Sequence, residues 1–257
     1  MAAKPLATVV VPSLNQGGFL SSALDSILAQ GLPLEIIVMD GGSTDETLHI
    51  IRDYEPELFH WQSGPDGGQA AAINDGIRRG SAPLVSWLNS DDFYYQGALS
   101  RLQKALEHKP AAPFAHGFAW HVSEAGRKRI PYLTLPYQRY LLANYCSICQ
   151  PATLIRRTCW ETIGGLDESL DLAFDYDLWF RLTEQFGPPA SVKGFVAANR
   201  MHNATKTSSQ LDQHYDESIL VVRRHVGSVP IKWRILRPVM RQVRKLTRHL
   251  RHRASPN

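Results

Sequence analysis

The sequence predicts an α/β fold: one domain with a mostly parallel sheet flanked by helices, followed by a basic helical extension at the C-terminus. Three observations carry this. Short apolar, β-branched runs alternate with stretches of helical period through the first 108 residues, the pattern of right-handed crossovers between parallel strands. Polar and acidic clusters follow directly on those runs, at the carboxyl ends of the strands, where open α/β sheets bind ligands. The charge is divided, with 17 Lys and Arg against 24 Asp and Glu over residues 1–217, then 11 Lys and Arg and no acid over residues 218–257.

The elements follow in order. Ala7 to Pro12 is a β-branched run closed by Pro12 and reads as a buried strand. Residues 19–30 set Leu20, Ala23, Leu24, Ile27 and Leu28 at helical spacing, and Gly31 ends the helix. Leu34 to Met39 is a second buried strand that stops at Asp40. Ser43 and Glu46 have capping-box spacing and open a helix carrying Leu48, Ile50 and Ile51. A third helix spans 69–80, with Ala70, Ile73 and Ile77 on one face. Leu84 to Leu88 is a strand that ends in Asn89-Ser90-Asp91-Asp92, and a helix follows over 97–108. Beyond residue 110 the rhythm weakens. A strand is expected from Phe114 to Val122, a helix from Pro136 to Ala143 and a strand from Ser147 to Ile155. Residues 175–186 form a helix with Leu178, Trp179, Leu182 and Phe186 on one side. A strand over 191–197 and a helix over 209–226 complete a body of residues 1–229.

The 257 residues, 44% hydrophobic and 20% charged, suffice for one large domain. No run approaches the roughly 18–20 apolar residues of a membrane-spanning helix. The apolar stretch after Met1 stops at Pro12, short of an export signal, so a cytoplasmic location is expected. Three cysteines, an odd number, fit a reducing compartment. Cys146-x-x-Cys149 lacks a second pair or a nearby His and is read as buried thiols.

Four acidic clusters carry the chemistry. Asp40 stands at a strand end before Gly41 and Gly42, where a carboxylate accepts hydrogen bonds from a base or ribose; a plain helix-capping loop uses the same letters. Asp66-Gly67-Gly68-Gln69 precedes a helix whose N-terminus favours phosphate, or it is a simple turn. Asp91 and Asp92 repel one another unless a cation or donors compensate them, and oxygen ligands of this kind suit Mg²⁺ or Mn²⁺. Asp175-Tyr176-Asp177 opens an amphipathic helix, a position the helix dipole also favours for structural reasons alone. Arg200-x-His202 follows an expected strand, where Arg meets phosphate and His serves as a ligand.

In their order these segments resemble glycosyltransferase family two, across about residues 6–208. The matching stretches are Val10-Val-Pro-Ser-Leu-Asn15, Glu35-Ile-Ile-Val-Met-Asp-Gly-Gly-Ser-Thr-Asp45, Gly64-Pro-Asp-Gly-Gly-Gln69 with Asn74 and Gly76, and Leu88-Asn-Ser-Asp-Asp92. Gly164-Gly-Leu-Asp-Glu168, Phe174-Asp-Tyr-Asp-Leu-Trp179 and Arg200-Met-His202 follow. The resemblance implies a GT-A (Rossmann-like) fold over 1–229 and inverting transfer of a sugar from a nucleotide-diphosphate sugar to a glycan or lipid-linked acceptor. It implies donor contacts from Pro12, Asn15, Asp40, Asp66, Gln69, Asn74, Asn89, Ser90 and Arg200. A divalent ion, Mn²⁺ or Mg²⁺, would be held by Asp91, Asp92 and His202. Asn89 replaces the first Asp of the family's DXD motif, which leaves its ribose contact open. Phe174 stands where the family often has Glu, so the catalytic base is Asp175 or Asp177. A role in bacterial surface polysaccharide synthesis is expected.

The basic segment holds 11 cations between Arg223 and Arg253. With Pro238 at a helix start, Val239, Val243, Leu246 and Leu250 share a face and arginines fill the rest. Residues 230–257 therefore read as a basic amphipathic helix that binds an anionic membrane surface through 230–253, at the inner face of the cytoplasmic membrane. Packing on the acidic body is the alternative, and nucleic acid is not an expected partner. Two other readings of the whole chain are a nucleotidyltransferase, which would want a cation in the loop after the first strand, and a degenerate sugar-nucleotide-binding or membrane scaffold protein. Asp91 and Asp175 are both present, against the latter.

Overall fold

In the computed structural model, which describes residues 4–231 and 233 apart from 133, 135, 136, 203, 204 and 207–209, the chain is organised on its first strand. β1 (Ala7–Ser13) is buried at every residue. It pairs in parallel with β2 (Leu34–Asp40) and β4 (Leu84–Trp87), and β2 in turn with β3 (His60–Ser63). The connecting helices are α1 (Gly17–Leu28), α2 (Thr47–Tyr54) and α3 (Gln69–Arg79). Gly76 lets α3 lie directly on the sheet, because a Cβ there would meet Val10 Cγ1 at 2.7 Å.

After β4 the chain leaves the middle of the sheet. β5 (Phe93–Tyr94) pairs not with a neighbour but with the distant β9 (Ala190–Met201), at the far end of the order β3-β2-β1-β4-β8-β6-β9-β5. Between them lie α4 (Ala98–His108), β6 (Phe114–Ser123), β7 (Lys128–Tyr132), α5 (Arg139–Asn144), β8 (Thr153–Arg156), α6 (Arg157–Thr162) and α7 (Phe174–Phe186). β8 is antiparallel to both β4 and β6, β7 is antiparallel to β6, and β6 and β9 form a long parallel ladder. α8 (Leu211–Val226) is the last helix described.

Alternate residues of the strands feed two cores. Val9, Val11, Ile36 and Val38 meet Leu20, Leu24, Ile27 and Ile51 on one face. Val10, Ile37, Val85 and Trp87 meet Ile73, Ile77, Trp160, Trp179 and Phe180 on the other. Trp87 stacks on Trp179 with centroids 6.2 Å apart and meets Trp160 edge-on at 5.9 Å.

Three expectations are corrected. Ser43 does not cap α2: its hydroxyl donates to Asp40 and accepts from the Asn15 N–H, while Asp45 accepts from Thr47 N–H at the actual helix start. The strand expected from Ser147 begins at Thr153, because Gln150–Ala152 is a 3₁₀ turn around Pro151, which has no N–H to give a ladder. β3, β5, β7 and α6 were not expected. Beyond the boundary expected at 229, Trp233 is 8% exposed, packs edge-on to Tyr215 at 5.8 Å and donates its indole N–H to Ala143 O at 3.0 Å. The expected amphipathic helix beyond Pro238 lies outside the described residues.

α7 and α8 are joined by a buried ionic cluster. Asp177 is fully buried and accepts from Arg181 Nε at 2.6 Å, Arg224 at 3.2 Å and His225 Nε2 at 2.9 Å. His225 Nδ1 reaches Glu184 at 2.9 Å, so both ring nitrogens face carboxylates, and the ring stacks on Phe180 at 4.9 Å. Burial by itself disfavours the imidazolium, but the bonds to Asp177 and Glu184 raise the His225 pKa above its ordinary value. Burial likewise works against the Asp177 carboxylate, yet His225 and Arg181 hold its pKa below the ordinary range.

The sign of the pH dependence follows. The His225 contribution is complete below its unfolded pKa of about 6.5 and is lost as pH rises through the raised folded value, whereas the Asp177 contribution is lost only at acid pH. Thermal unfolding should therefore give a higher Tm at about pH 6 than at about pH 8.5. His225→Gln should cost about 1–3 kcal/mol near pH 6 and flatten the difference. An unchanged slope in the variant would show that another group drives it.

Candidate active site

A cavity of about 750 Å³ opens where the chain ends of β1, β4 and β9 meet the N-terminal turn of α7 and one side of α8. Its most constrained part is the crossing from β4 to β5. Asp92 is 1% exposed, and its carboxylate accepts from the Arg200 backbone N–H at 2.8 Å and from Asn89 Nδ2 at 3.3 Å. Burial and the charge of Asp91 hold its pKa well above the usual carboxylate range, against those two donors. Arg200 returns the bond, donating Nε–H to the Asp91 carbonyl at 2.7 Å and an Nη–H to Glu124 O. Its guanidinium is sandwiched by Phe19 and Phe93, at 5.1 and 5.4 Å from the ring centroids.

With its neighbour pinned, Asp91 turns its side chain to the cavity. There Oδ2 meets His202 Nε2 at 2.9 Å, and the imidazole rests on Phe19. A carboxylate and an imidazole side by side form an O/N pair suited to a divalent ion. Asp92 also lines the cavity, but it is 1% exposed and each of its oxygens already accepts a hydrogen bond, so Asp91 is the more accessible of the two carboxylates. Among the described residues there is no group of three or more His, Cys, Asp or Glu able to hold a metal by themselves.

Asp175 stands across the same floor, in the first turn of α7. Burial pushes its carboxyl up to about 6, against the backbone N–H groups of Tyr176 and its own residue. Cys149 lies close enough to feel both Asp92 and Asp175, and the burial of Cys146 and Cys149 raises their pKa values well above the ordinary thiol range. Both thiols line the cavity, and Cys149, 5% exposed, also belongs to the core, as expected of buried thiols. Asp177, the other candidate base, points away into the α7–α8 cluster and does not line the cavity.

The expected donor contacts divide. Pro12, Asp66, Gln69, Asn89, Ser90 and Arg200 line the cavity. Gln69 donates to Asn89 Oδ1 at 2.9 Å, and Asp66 accepts from Gly68 N–H at 2.8 Å. A Cβ on Gly41 would lie 3.1 Å from Asp66 Oδ2, so this glycine lets the two loops approach. Three others are occupied elsewhere. Asp40 is 2% exposed and spends its carboxylate on Gly42 N–H, Ser43 and Ser63. Asn15 holds a positive φ of 53° and accepts from Thr44 N–H, tying β1 to the loop after β2. Asn74 clamps the Leu166 backbone through bonds of 3.0 and 2.9 Å and reaches Glu168 at 2.8 Å, well outside the cavity. Two lining residues escaped the sequence reading: Ser13 Oγ and Gln16 Oε1 are buried polar atoms without a partner. Orphaned atoms of this kind call for a ligand to satisfy them.

Comparison with known proteins agrees with this geometry. A profile of the family described as Glycosyl transferase family 2 matches residues 8–163. An uncharacterized glycosyltransferase of Rickettsia typhi is 28% identical over 231 residues, which span 81% of this chain and 68% of that protein. Among solved structures, S. aureus TarS 1–349 in complex with UDP-GlcNAc is similar at a TM-score of 0.69, 17% identity, and coverage of 87% of this chain and 67% of that one. The mannosyltransferase PcManGT of Pyrobaculum calidifontis, in complex with GDP-Man and Mn²⁺, is similar at a TM-score of 0.64 and 19% identity, covering 85% and 65%. At these identities the two structures share the GT-A fold with this chain.

Proposed function

The chain belongs to glycosyl transferase family 2, and on that premise we propose that it is an inverting, metal-dependent enzyme moving a sugar from a nucleotide-diphosphate sugar to a hydroxyl of a glycan or lipid-linked acceptor, in surface polysaccharide synthesis. The carrying observation is that one cavity is lined by both Asp91, whose Oδ2 meets the buried His202 Nε2 behind it, and Asp175. The UDP-GlcNAc in complex with TarS and the GDP-Man in complex with PcManGT support such a donor, and the Mn²⁺ that accompanies GDP-Man supports a divalent ion.

In this reading the donor lies along the loops after β1, β3 and β4. Ser13, Gln16 and Asp66 take the nucleoside, while Gln69, Asn89 and Ser90 face the ribose and diphosphate. Mn²⁺ or Mg²⁺ would be held by Asp91 and His202 and would supply Lewis-acid stabilisation of the leaving diphosphate. Arg200 is a positioning residue that fixes the Asp91 backbone.

Asp175 does the proton chemistry. With a pKa near 6 it is ionised at neutral pH yet basic enough to accept the acceptor's proton. As the acceptor oxygen bonds to the anomeric carbon, the bond from that carbon to the diphosphate oxygen breaks and its electron pair leaves with the diphosphate. Attack opposite the leaving group inverts the carbon, with no covalent enzyme intermediate.

Among the described residues no helix is long and apolar enough to cross a membrane. The proposed attachment is peripheral, through the basic residues after Trp233 on an anionic surface, where each contributes about 1 kcal/mol.

Three outcomes are expected. Chelation by EDTA should abolish transfer and added Mn²⁺ should restore it, and Asp91→Ala should be inactive with or without the ion; full activity in EDTA would remove the metal from the mechanism. Asp175→Asn should lower kcat by roughly 10²–10⁴-fold, and the wild-type rate should rise with pH through about 6; a dead Asp177→Asn beside a near-normal Asp175→Asn would reverse the assignment. Replacing Arg241, Arg244, Lys245 and Arg248 by Gln should release the full-length protein from anionic vesicles in co-sedimentation. Equal partitioning of the wild type to neutral and anionic vesicles would end the membrane proposal.

A further inference from the structure

Phe19 touches both of the residues that the end of β9 brings to Asp91. Its ring centroid lies 4.8 Å from that of the His202 imidazole, with 33° between the planes, and 5.1 Å from the guanidinium carbon of Arg200. The His202 side chain is 5% exposed and stands behind Asp91, with Nε2 on Oδ2 at 2.9 Å. Phe19 itself is outside the cavity lining.

The backbone that carries Phe19 is well anchored. The residue lies in the first turn of α1, where its N–H bonds to Gln16 O at 2.9 Å. That turn is held from the loop after β2: Gly17 N–H donates to Asp45 at 3.0 Å and Asn15 N–H to Ser43 Oγ at 2.7 Å. Gly17 permits the approach, since a Cβ there would meet Glu46 Cγ at 2.5 Å. The aromatic face against His202 is therefore a fixed surface.

The chemistry of the pair gives that surface a purpose. The bond from Nε2 to Asp91 aligns the imidazole only while Nε2 keeps its proton. One nitrogen cannot donate a proton to a carboxylate and give its lone pair to a cation at the same time, so the bond is surrendered when His202 ligates. The contact with Phe19 needs neither the proton nor the lone pair and serves both states. It sets the plane of the ring, whereas Asp91 selects the edge. Groups that orient a ligand without touching the ion typically change metal affinity by about 10–100-fold when replaced.

We propose that Phe19 is a positioning residue: it holds the His202 imidazole in the plane from which it ligates, and so sets the divalent-ion affinity of the Asp91–His202 pair. This rests on the metal-dependent reading above and adds a residue to it.

The test titrates Mn²⁺ into the full-length protein, alone and with UDP or GDP, and reads binding from the loss of the free-ion electron paramagnetic resonance signal. Nitrogen modulation of the electron spin echo then reports an imidazole on the bound ion. Phe19→Tyr keeps the ring, while Phe19→Leu and Phe19→Met keep apolar bulk without a flat face; circular dichroism checks that each is folded. The Leu and Met variants should bind Mn²⁺ about tenfold more weakly and lose most of the nitrogen modulation. Phe19→Tyr should match the wild type in both. Wild-type affinity in the Leu and Met variants, weaker binding with the modulation intact, or a Tyr variant as impaired as the Leu one would each overturn the inference. The wild type and His202→Ala read the parent assignment separately. A wild type that binds no Mn²⁺ under any of these conditions, or that shows no modulation which His202→Ala removes, would overturn the metal pair and this inference with it.

Discussion

The architecture of the cavity depends on one reciprocal contact, that of Asp92 with Arg200. Two adjacent carboxylates at a sheet edge cannot both be buried and both stay charged without donors. The chain solves this by giving Asp92 the backbone N–H of Arg200 and giving Arg200 the backbone carbonyl of Asp91. The contact closes a loop of more than a hundred residues, fastening the end of β4 to the end of β9. It also separates the two acids by role, with Asp92 drawn inside as a strut and Asp91 left facing the cavity. His202 follows from the same contact, since it lies two residues beyond Arg200 and is thereby delivered to Asp91. Removing either partner would leave a buried charge or a freed carbonyl, the costly kind of loss.

Much of this was legible in the sequence, and what was not has physical reasons. β1, β2 and β4 could be read because strands buried on both faces leave largely apolar runs, and α3 because Ala70, Ile73 and Ile77 recur at helical spacing. β5 has two residues and β7 is largely exposed with Pro131 in it, so neither leaves such a trace. In the cavity lining, Asp91 was readable because it follows a buried strand, and Asp175 because it opens an amphipathic helix. Asp40 and Asn74 carry the same chemistry as donor contacts, and only the fold reveals that their side chains are buried and already hydrogen-bonded within the protein. Asn74 is the clearest case, because the Leu166 backbone it holds is 92 residues away. Ser13 and Gln16 were missed for the opposite reason: nothing local distinguishes a serine at a strand end from any other, and the signal is the absence of a partner in a buried place.

α7 links the chemistry to the rest of the molecule through neighbouring residues of opposite fate. Asp175 faces the cavity with no cation beside it, which is why burial leaves its pKa raised. Asp177, two positions on, falls on another side of the helix, as a 3.6-residue period requires, and is saturated by Arg181, Arg224 and His225. The second carboxylate therefore anchors α8, and α8 carries His214 and Tyr215 into the cavity. Asp175 and the aromatic residues of α8 are thus held in register by a carboxylate that lies outside the cavity.

That arrangement also ties the basic segment to the site. Trp233 is at once a wall of the cavity, a partner of Tyr215 and a donor to the Ala143 carbonyl at the end of α5. One indole of the C-terminal segment therefore joins α5 to α8, its N–H closing a buried backbone carbonyl of the first while its ring packs on a tyrosine of the second. Its loss would free that carbonyl as well as open the wall, and an unsatisfied buried acceptor is the costlier part of such a change.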